Sequence, residues 1–174
     1  MTGKRPQIAA AILVFILSVL VIAPARAGQA ELDLLTSYIG KWSGTGTLVG
    51  GKDPEPFRCR LTIAKGAQTK INYQGRCTLV NMNLSIAGTI GFDDATRRYQ
   101  AAMSSNAGFT GYAVGYRRDN AISFDLAEKQ VDTRGNTVRI GARIHLISGS
   151  ITVDYEVEFN DSGDVLTAVV PFSR

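Results

Sequence analysis

From Gly40 to the C-terminus, apolar residues recur at every second position, and short polar turns cut the runs. A period of two marks strands with one buried face. Just before it, residues 29–39 (QAELDLLTSYI) space Leu32, Leu35 and Ile39 at i, i+3 and i+7. That spacing predicts one short helix, stopped at Gly40.

Strand partners follow from residue numbers, because facing residues of an antiparallel pair have a constant sum and side chains alternate faces. A two-residue turn at Ser148-Gly149 pairs Val138 with Phe159, Ile140 with Val157, Ala142 with Tyr155, Ile144 with Val153 and Leu146 with Ile151. The other face then sets Arg139 opposite Glu158, Arg143 opposite Asp154 and His145 opposite Thr152. One register satisfies both faces, and opposite charges meet across it. Pairing Cys59 with Cys77 likewise puts Leu61 opposite Gly75, Ile63 opposite Tyr73 and Lys65 opposite Ile71, around a turn at 67–69.

Further strands are expected at 41–49, 82–91, 97–104, 110–117, 121–127 and 165–172. Tyr99, Ala101 and Met103 share one face, as do Tyr112, Val114 and Tyr116, and Ile122, Phe124 and Leu126. Each of these apolar sets is expected to point inward. About ten antiparallel strands joined in order leave no exposed edge most simply by closing on themselves. The expected fold class is all-β: a single antiparallel up-and-down β-barrel of about ten strands with a short N-terminal helix.

The first residues change the setting. Lys4 and Arg5 precede an apolar run at 8–22, and Ala25-Arg26-Ala27 offers a small-residue cleavage site before Gly28. The run is shorter than the ~20 residues of a membrane span. The pattern predicts a signal peptide over 1–27, one barrel domain over 28–174, and a periplasmic or secreted protein. It also corrects the basic character suggested by a pI near 9.2. Of 19 Lys and Arg, three leave with the leader, and 16 then face 15 Asp and Glu. That balance gives no electrostatic case for a nucleic-acid partner. In an oxidising compartment Cys59 and Cys77 read as one disulfide, worth ~3 kcal/mol at most for so short a loop, with two buried thiols as the alternative.

An exported barrel faces lipid or water. A lipid-facing band must be apolar. Here Lys70, Asn72, Gln74 and Arg76, then Arg139, Arg143 and His145, then Asp154, Glu156 and Glu158 occupy one face. The apolar face must then be the interior, so the barrel is expected to be soluble and not membrane-spanning once the leader is cleaved. Nothing in the sequence indicates an oligomeric state.

Gly40-Lys41-Trp42, following the helix and opening the first strand, resembles the Gly-x-Trp motif of the calycin superfamily, with its lipocalins and bacterial lipocalin-like and nitrobindin-like barrels. Gly91-Phe92-Asp93-Asp94 with Tyr99 is similar to a mid-barrel turn of the bacterial members. The resemblance implies that Trp42 plugs the closed end and that the other end admits a small hydrophobic ligand. Nitrobindin-like barrels hold haem through a histidine, whereas His145, the one histidine here, points outward in the register above. No cofactor is therefore expected.

The candidate cavity residues are Trp42, Tyr73, Tyr99, Met103, Tyr112, Phe124 and Tyr155, with Tyr116 on the same inferred face as Tyr112. Two readings stay open: a ligand cavity with a few hydroxyls, or a solid core, since small barrels are often filled by their own side chains. Gly75, Gly88, Ala101 and Ala142 leave room on those faces. Asp93 and Asp94 read as turn residues. Arg97-Arg98 and Arg117-Arg118 follow turns and offer either an anion site or solvated strand ends. Residues 104–108 form a polar connection, or a lid. No spacing brings a serine, histidine and aspartate together, and no catalytic or metal-binding residue is assigned.

Overall fold

The computed structural model describes residues 27–80, 82–131, 135 and 137–174. The predicted signal peptide, up to residue 26, lies outside the described residues. Among the described residues, no helix is long and apolar enough to cross a membrane.

The chain opens with helix α1 (Ala27–Thr36) and continues as ten strands. These are β1 (Gly40–Leu48), β2 (Glu55–Lys65), β3 (Lys70–Thr78), β4 (Asn83–Asp93) and β5 (Arg98–Ser105), then β6 (Thr110–Arg118), β7 (Ala121–Val131), β8 (Thr137–Ile147), β9 (Ser150–Phe159) and β10 (Val165–Ser173). Each strand pairs with its sequence neighbour, and β1 meets β10, so the sheet closes into an antiparallel barrel.

The two registers derived from the sequence are the registers observed. Cys59 faces Cys77, and Val138 faces Phe159, with every intermediate pair as expected. The β8–β9 turn works because Ser148 and Gly149 both take positive φ, 45° and 81°. Paired positive φ values give a two-residue turn whose twist matches the strands. The Cys59–Cys77 disulfide is formed, with a Cα–Cα distance of 4.0 Å. It bridges directly opposed residues of β2 and β3.

The helix is shifted from its expected span. It ends at Thr36, because the next hydrogen bonds, Tyr38 N to Leu35 O (3.1 Å) and Ile39 N to Thr36 O (3.0 Å), tighten to the i+3 pattern. That tightening turns Tyr38 into the barrel. Leu35 and Tyr38 are fully buried and share one core with Trp42, Ile71, Ile90, Tyr99 and Phe124. Helix α1 therefore plugs one end.

Trp42 is fixed from several sides. Its Nε1 donates to Tyr38 O at 2.9 Å, its ring lies 6.4 Å from that of Tyr38, and the Arg174 guanidinium sits 4.7 Å above the indole. Arg174 also donates to Ser37 O, which ties the end of the chain to the end of the helix. On the far side of the plug, Tyr99 donates to the Glu31 carboxylate, and Arg117 Nη1 donates to the same oxygen at 2.7 Å. The helix is thus pinned to β5 and β6 by a shared carboxylate.

Strand polarity sorts the connections. The turns at 66–69, 94–97, 119–120 and 148–149 lie with α1 at the closed end, and residues 49–54, 79–80, 82, 106–109 and 160–164 surround the other end. Asp93 is a turn residue, as expected: its Oδ1 accepts from Ala95 N at 2.9 Å and Thr96 N at 3.2 Å. Those backbone donors hold its carboxyl below the usual carboxylate range, the Thr96 N–H foremost.

Candidate functional site: an apolar cavity in the open half of the barrel

The interior is unevenly filled. Beneath the plug Trp42, Tyr99 and Phe124 are at most 3% exposed. Phe92 and Tyr99 pack edge to face with ring centroids 5.0 Å apart, and Tyr99 and Phe124 do so at 6.4 Å. From the open end a cavity of about 400 Å³ reaches along β2–β4 and β8–β9 as far as Ile71, Ile90 and Ile151. Its walls come from the inward positions of β2–β5 and β8–β10, among them Leu61, Ile86, Met103, Ile144, Val153 and Tyr155. Leu79, Met82 and Phe109 line it where the open-end connections begin.

The candidate residues divide by whether they reach that cavity. Tyr73, Met103 and Tyr155 line the cavity. Trp42, Tyr99 and Phe124 lie in the closed-end core cluster and are absent from its lining. Tyr112 and Tyr116 correct the sequence expectation: they are 53% and 54% exposed and face outward. The register explains it. Tyr99, Ala101 and Met103 face Gly115, Ala113 and Gly111, so the inward face of β6 is its small-residue face. A methyl group on Gly115 comes within 2.4 Å of the Phe124 ring, and one on Gly111 within 2.6 Å of Leu126. Large side chains from β7 fill the space that β6 leaves, and the β6 aromatics go outside. There Tyr116 carries the Arg98 guanidinium 4.4 Å above its ring.

The disulfide is part of the wall, since both Cys59 and Cys77 line the cavity. The lining is almost wholly aliphatic and aromatic, and the polar side chains in it are Tyr73, Tyr155 and, at its border, Arg60. Tyr73 Oη donates to Ala102 O at 3.3 Å. Burial pushes the phenols of both Tyr73 and Tyr155 up to about 12 from the ordinary 10.0. Tyr99 is raised too, first by burial and then by the Glu31 carboxylate it donates to.

These shifts set an alkaline limit on stability. The folded protein keeps protons that the unfolded chain releases above pH 10, so the contribution is whole below pH 10 and is lost as pH rises toward 12. Each buried phenol accounts for about 2–3 kcal/mol across that window. Urea unfolding against pH is expected to show the decline, and Tyr155→Phe to make it shallower by one phenol's share. An identical slope in Tyr73→Phe, Tyr155→Phe and the parent refutes the assignment.

The remaining candidates fall outside the cavity. Arg117 is neutralised by Glu31, and Arg98 lies on Tyr116, so the two arginine pairs form no joint anion site. His145 lies on the outer face of β8. The structure does bring a serine, histidine and aspartate together there, which the sequence did not indicate: Ser123 Oγ is 3.0 Å from His145 Nδ1, and His145 Nε2 is 3.7 Å from Asp154 Oδ2. The three sit on a sheet face where β7, β8 and β9 pair with each other, and neither described pocket includes them. Strand N–H groups engaged in a ladder offer no oxyanion hole. Among the described residues no His, Cys, Asp and Glu cluster forms a metal site.

The fold and cavity define a class: a ten-stranded antiparallel barrel, plugged by a helix at one end and hollow toward the other. No family model matches the chain, and no curated protein does. The fold is shared with solved structures. A crystal structure of Rv2717c from M. tuberculosis is 16% identical and covers 83% of this chain and 98% of its own, with a TM-score of 0.61. An S-type phycobiliprotein lyase, CPES, from Guillardia theta is 11% identical and covers 83% of this chain and 94% of its own, with a TM-score of 0.54. At such identities the likeness is one of fold.

Proposed function

We propose that this protein is a calycin-type barrel that binds or carries a small hydrophobic molecule, and that it does so in the periplasm or outside the cell. The observation that carries the reading is the cavity of about 400 Å³, lined by apolar side chains and two phenols. Small-molecule sites occupy ~300–1,000 Å³ and pair apolar walls with a few polar groups. The alternative of a filled barrel with a structural role is less favoured, because side chains leave that cavity unfilled. The leader-like residues at the N-terminus and the disulfide support the compartment.

The test uses a fluorescent fatty acid as the probe. Its emission is expected to rise on binding to the barrel and to be displaced by unlabelled apolar compounds. Ala142 lines the cavity between Leu126 and Tyr155. Ala142→Trp is expected to weaken probe binding at least about tenfold, a loss of ~1.4 kcal/mol. Tyr112→Ala, on the outer face, is expected to leave binding unchanged. Equal binding by Ala142→Trp, with its fold verified by thermal unfolding, rejects the cavity as the site. Native mass spectrometry of protein taken from its own host then identifies any retained molecule.

A further inference from the structure

The outer wall of the barrel has two electrostatic faces. On β7–β9 the arginines are paired: Arg143 Nε lies 2.5 Å from Asp125 Oδ1, and Arg139 meets Glu158. On β1–β4 they are not. Arg60 and Arg76 face each other across β2 and β3, with Arg58 on the same face of β2 one outward position nearer the open end. All three are exposed, and none has an ion pair among the described residues. Like charges placed opposite each other work against strand pairing. No outward position of β1–β4 between Lys41 and Thr89 is acidic. Lys52 and Asp53 offset each other in the β1–β2 connection, and the Glu55 carboxylate is engaged by Val80 N.

The same wall is furrowed. Arg60 and Arg76 line an outer depression together with Thr62, Ser85, Ser104 and Asn106, a set of cations, hydroxyls and an amide suited to phosphate oxygens. Above it, at the open end, large apolar side chains stand in solvent: Val80 is 73% exposed, Met82 49% and Val49 41%. Val49, Val80 and Met82 and the three arginines all lie on the β1–β4 side, and the cavity opens at the end they border.

We infer that the protein docks on anionic phospholipid bilayers through this β1–β4 wall and its open-end rim, with Arg58, Arg60 and Arg76 on headgroup phosphates and Val80 and Met82 in the interface. Charge complementarity selects the occupant. A basic patch next to exposed apolar tips matches a surface of phosphates over hydrocarbon. Docked so, the cavity mouth opens at the lipid boundary, where apolar molecules reside. Arg58, Arg76 and Val80 are no part of the cavity lining, whereas Arg60 and Met82 border it, and the inference does not depend on which molecule the cavity holds.

The test is sedimentation of residues 27–174, which hold every described element and all three core clusters, with vesicles of phosphatidylcholine with or without phosphatidylglycerol. Binding is expected with phosphatidylglycerol and is expected to fall with added salt. Each basic residue at such a surface contributes about fivefold in affinity, so Arg60→Glu with Arg76→Glu is expected to weaken binding at least about 30-fold. Val80→Asp, on an exposed turn, is expected to weaken it about tenfold. Arg97→Glu with Arg118→Glu, an equal charge change at the closed end, is expected to leave it intact. Ala142→Trp is expected to keep vesicle binding while losing the cavity probe, which separates the two proposals. No phosphatidylglycerol dependence, equal loss in the closed-end variant, or binding to soluble polyglutamate in place of vesicles overturns the inference.

Discussion

Replacing Trp42 with alanine is expected to lower the free energy of unfolding by about 3–5 kcal/mol, the largest loss from any single residue of the plug. Trp42 is 3% exposed and joins helix, first strand and C-terminus. Its removal opens a void between Leu35, Tyr38 and Ile71, leaves Tyr38 O without its indole donor, and takes away the surface beneath Arg174. The void and the lost donor both act against the folded state. Urea titration followed by far-UV circular dichroism measures the loss. Arg174→Ala is expected to cost no more than about 1 kcal/mol, because an exposed cation over an aromatic ring contributes little. A Trp42→Ala protein within 1 kcal/mol of the parent refutes the view that the indole holds the plug.

Phe124→Ala is expected to cost a similar amount, about 3–5 kcal/mol, and it couples to the opposite strand. Phe124 is fully buried, and its ring fills the place of the side chain that Gly115 lacks. A methyl at Gly115 meets that ring at 2.4 Å, so Gly115→Ala alone is expected to cost about 1–3 kcal/mol by overpacking. With Phe124 already reduced to alanine the conflict is gone. The double variant is then expected to be more stable than the sum of the singles predicts, by at least about 1 kcal/mol. Simple additivity in the double-mutant cycle contradicts the packing described between β6 and β7.

Much of the barrel was legible because registers obey arithmetic. The pairs Cys59–Cys77 and Val138–Phe159 follow from a period of two, a turn and the need for both faces to make sense, and local chemistry at Ser148-Gly149 and Asp93 fixes the turns. The helix end was displaced because tertiary packing of Tyr38 overrides the i, i+7 spacing that carried the pattern to Ile39. The site was half legible. Tyr73, Met103 and Tyr155 were found from their alternation, and Ile144 and Val153 carried the same signal. Tyr112 and Tyr116 misled because the rule that the larger apolar face points inward fails on β6.

Turn residues and alternation thus determined that this chain makes successive antiparallel strand pairs and sets Cys59 opposite Cys77, because those features depend on neighbours near in sequence. Only the tertiary structure decided three further matters. It put the small face of β6 inward, since the space there is set by Phe124 and Leu126 of the next strand. It left a cavity along β2–β4 and β8–β9 while packing the space around Tyr99 and Phe124, since a cavity is the difference between enclosed volume and the side chains that fill it. It also set Arg58, Arg60 and Arg76, none with an ion pair among the described residues, on one wall, since net charge is a sum and a surface potential depends on where each charge sits.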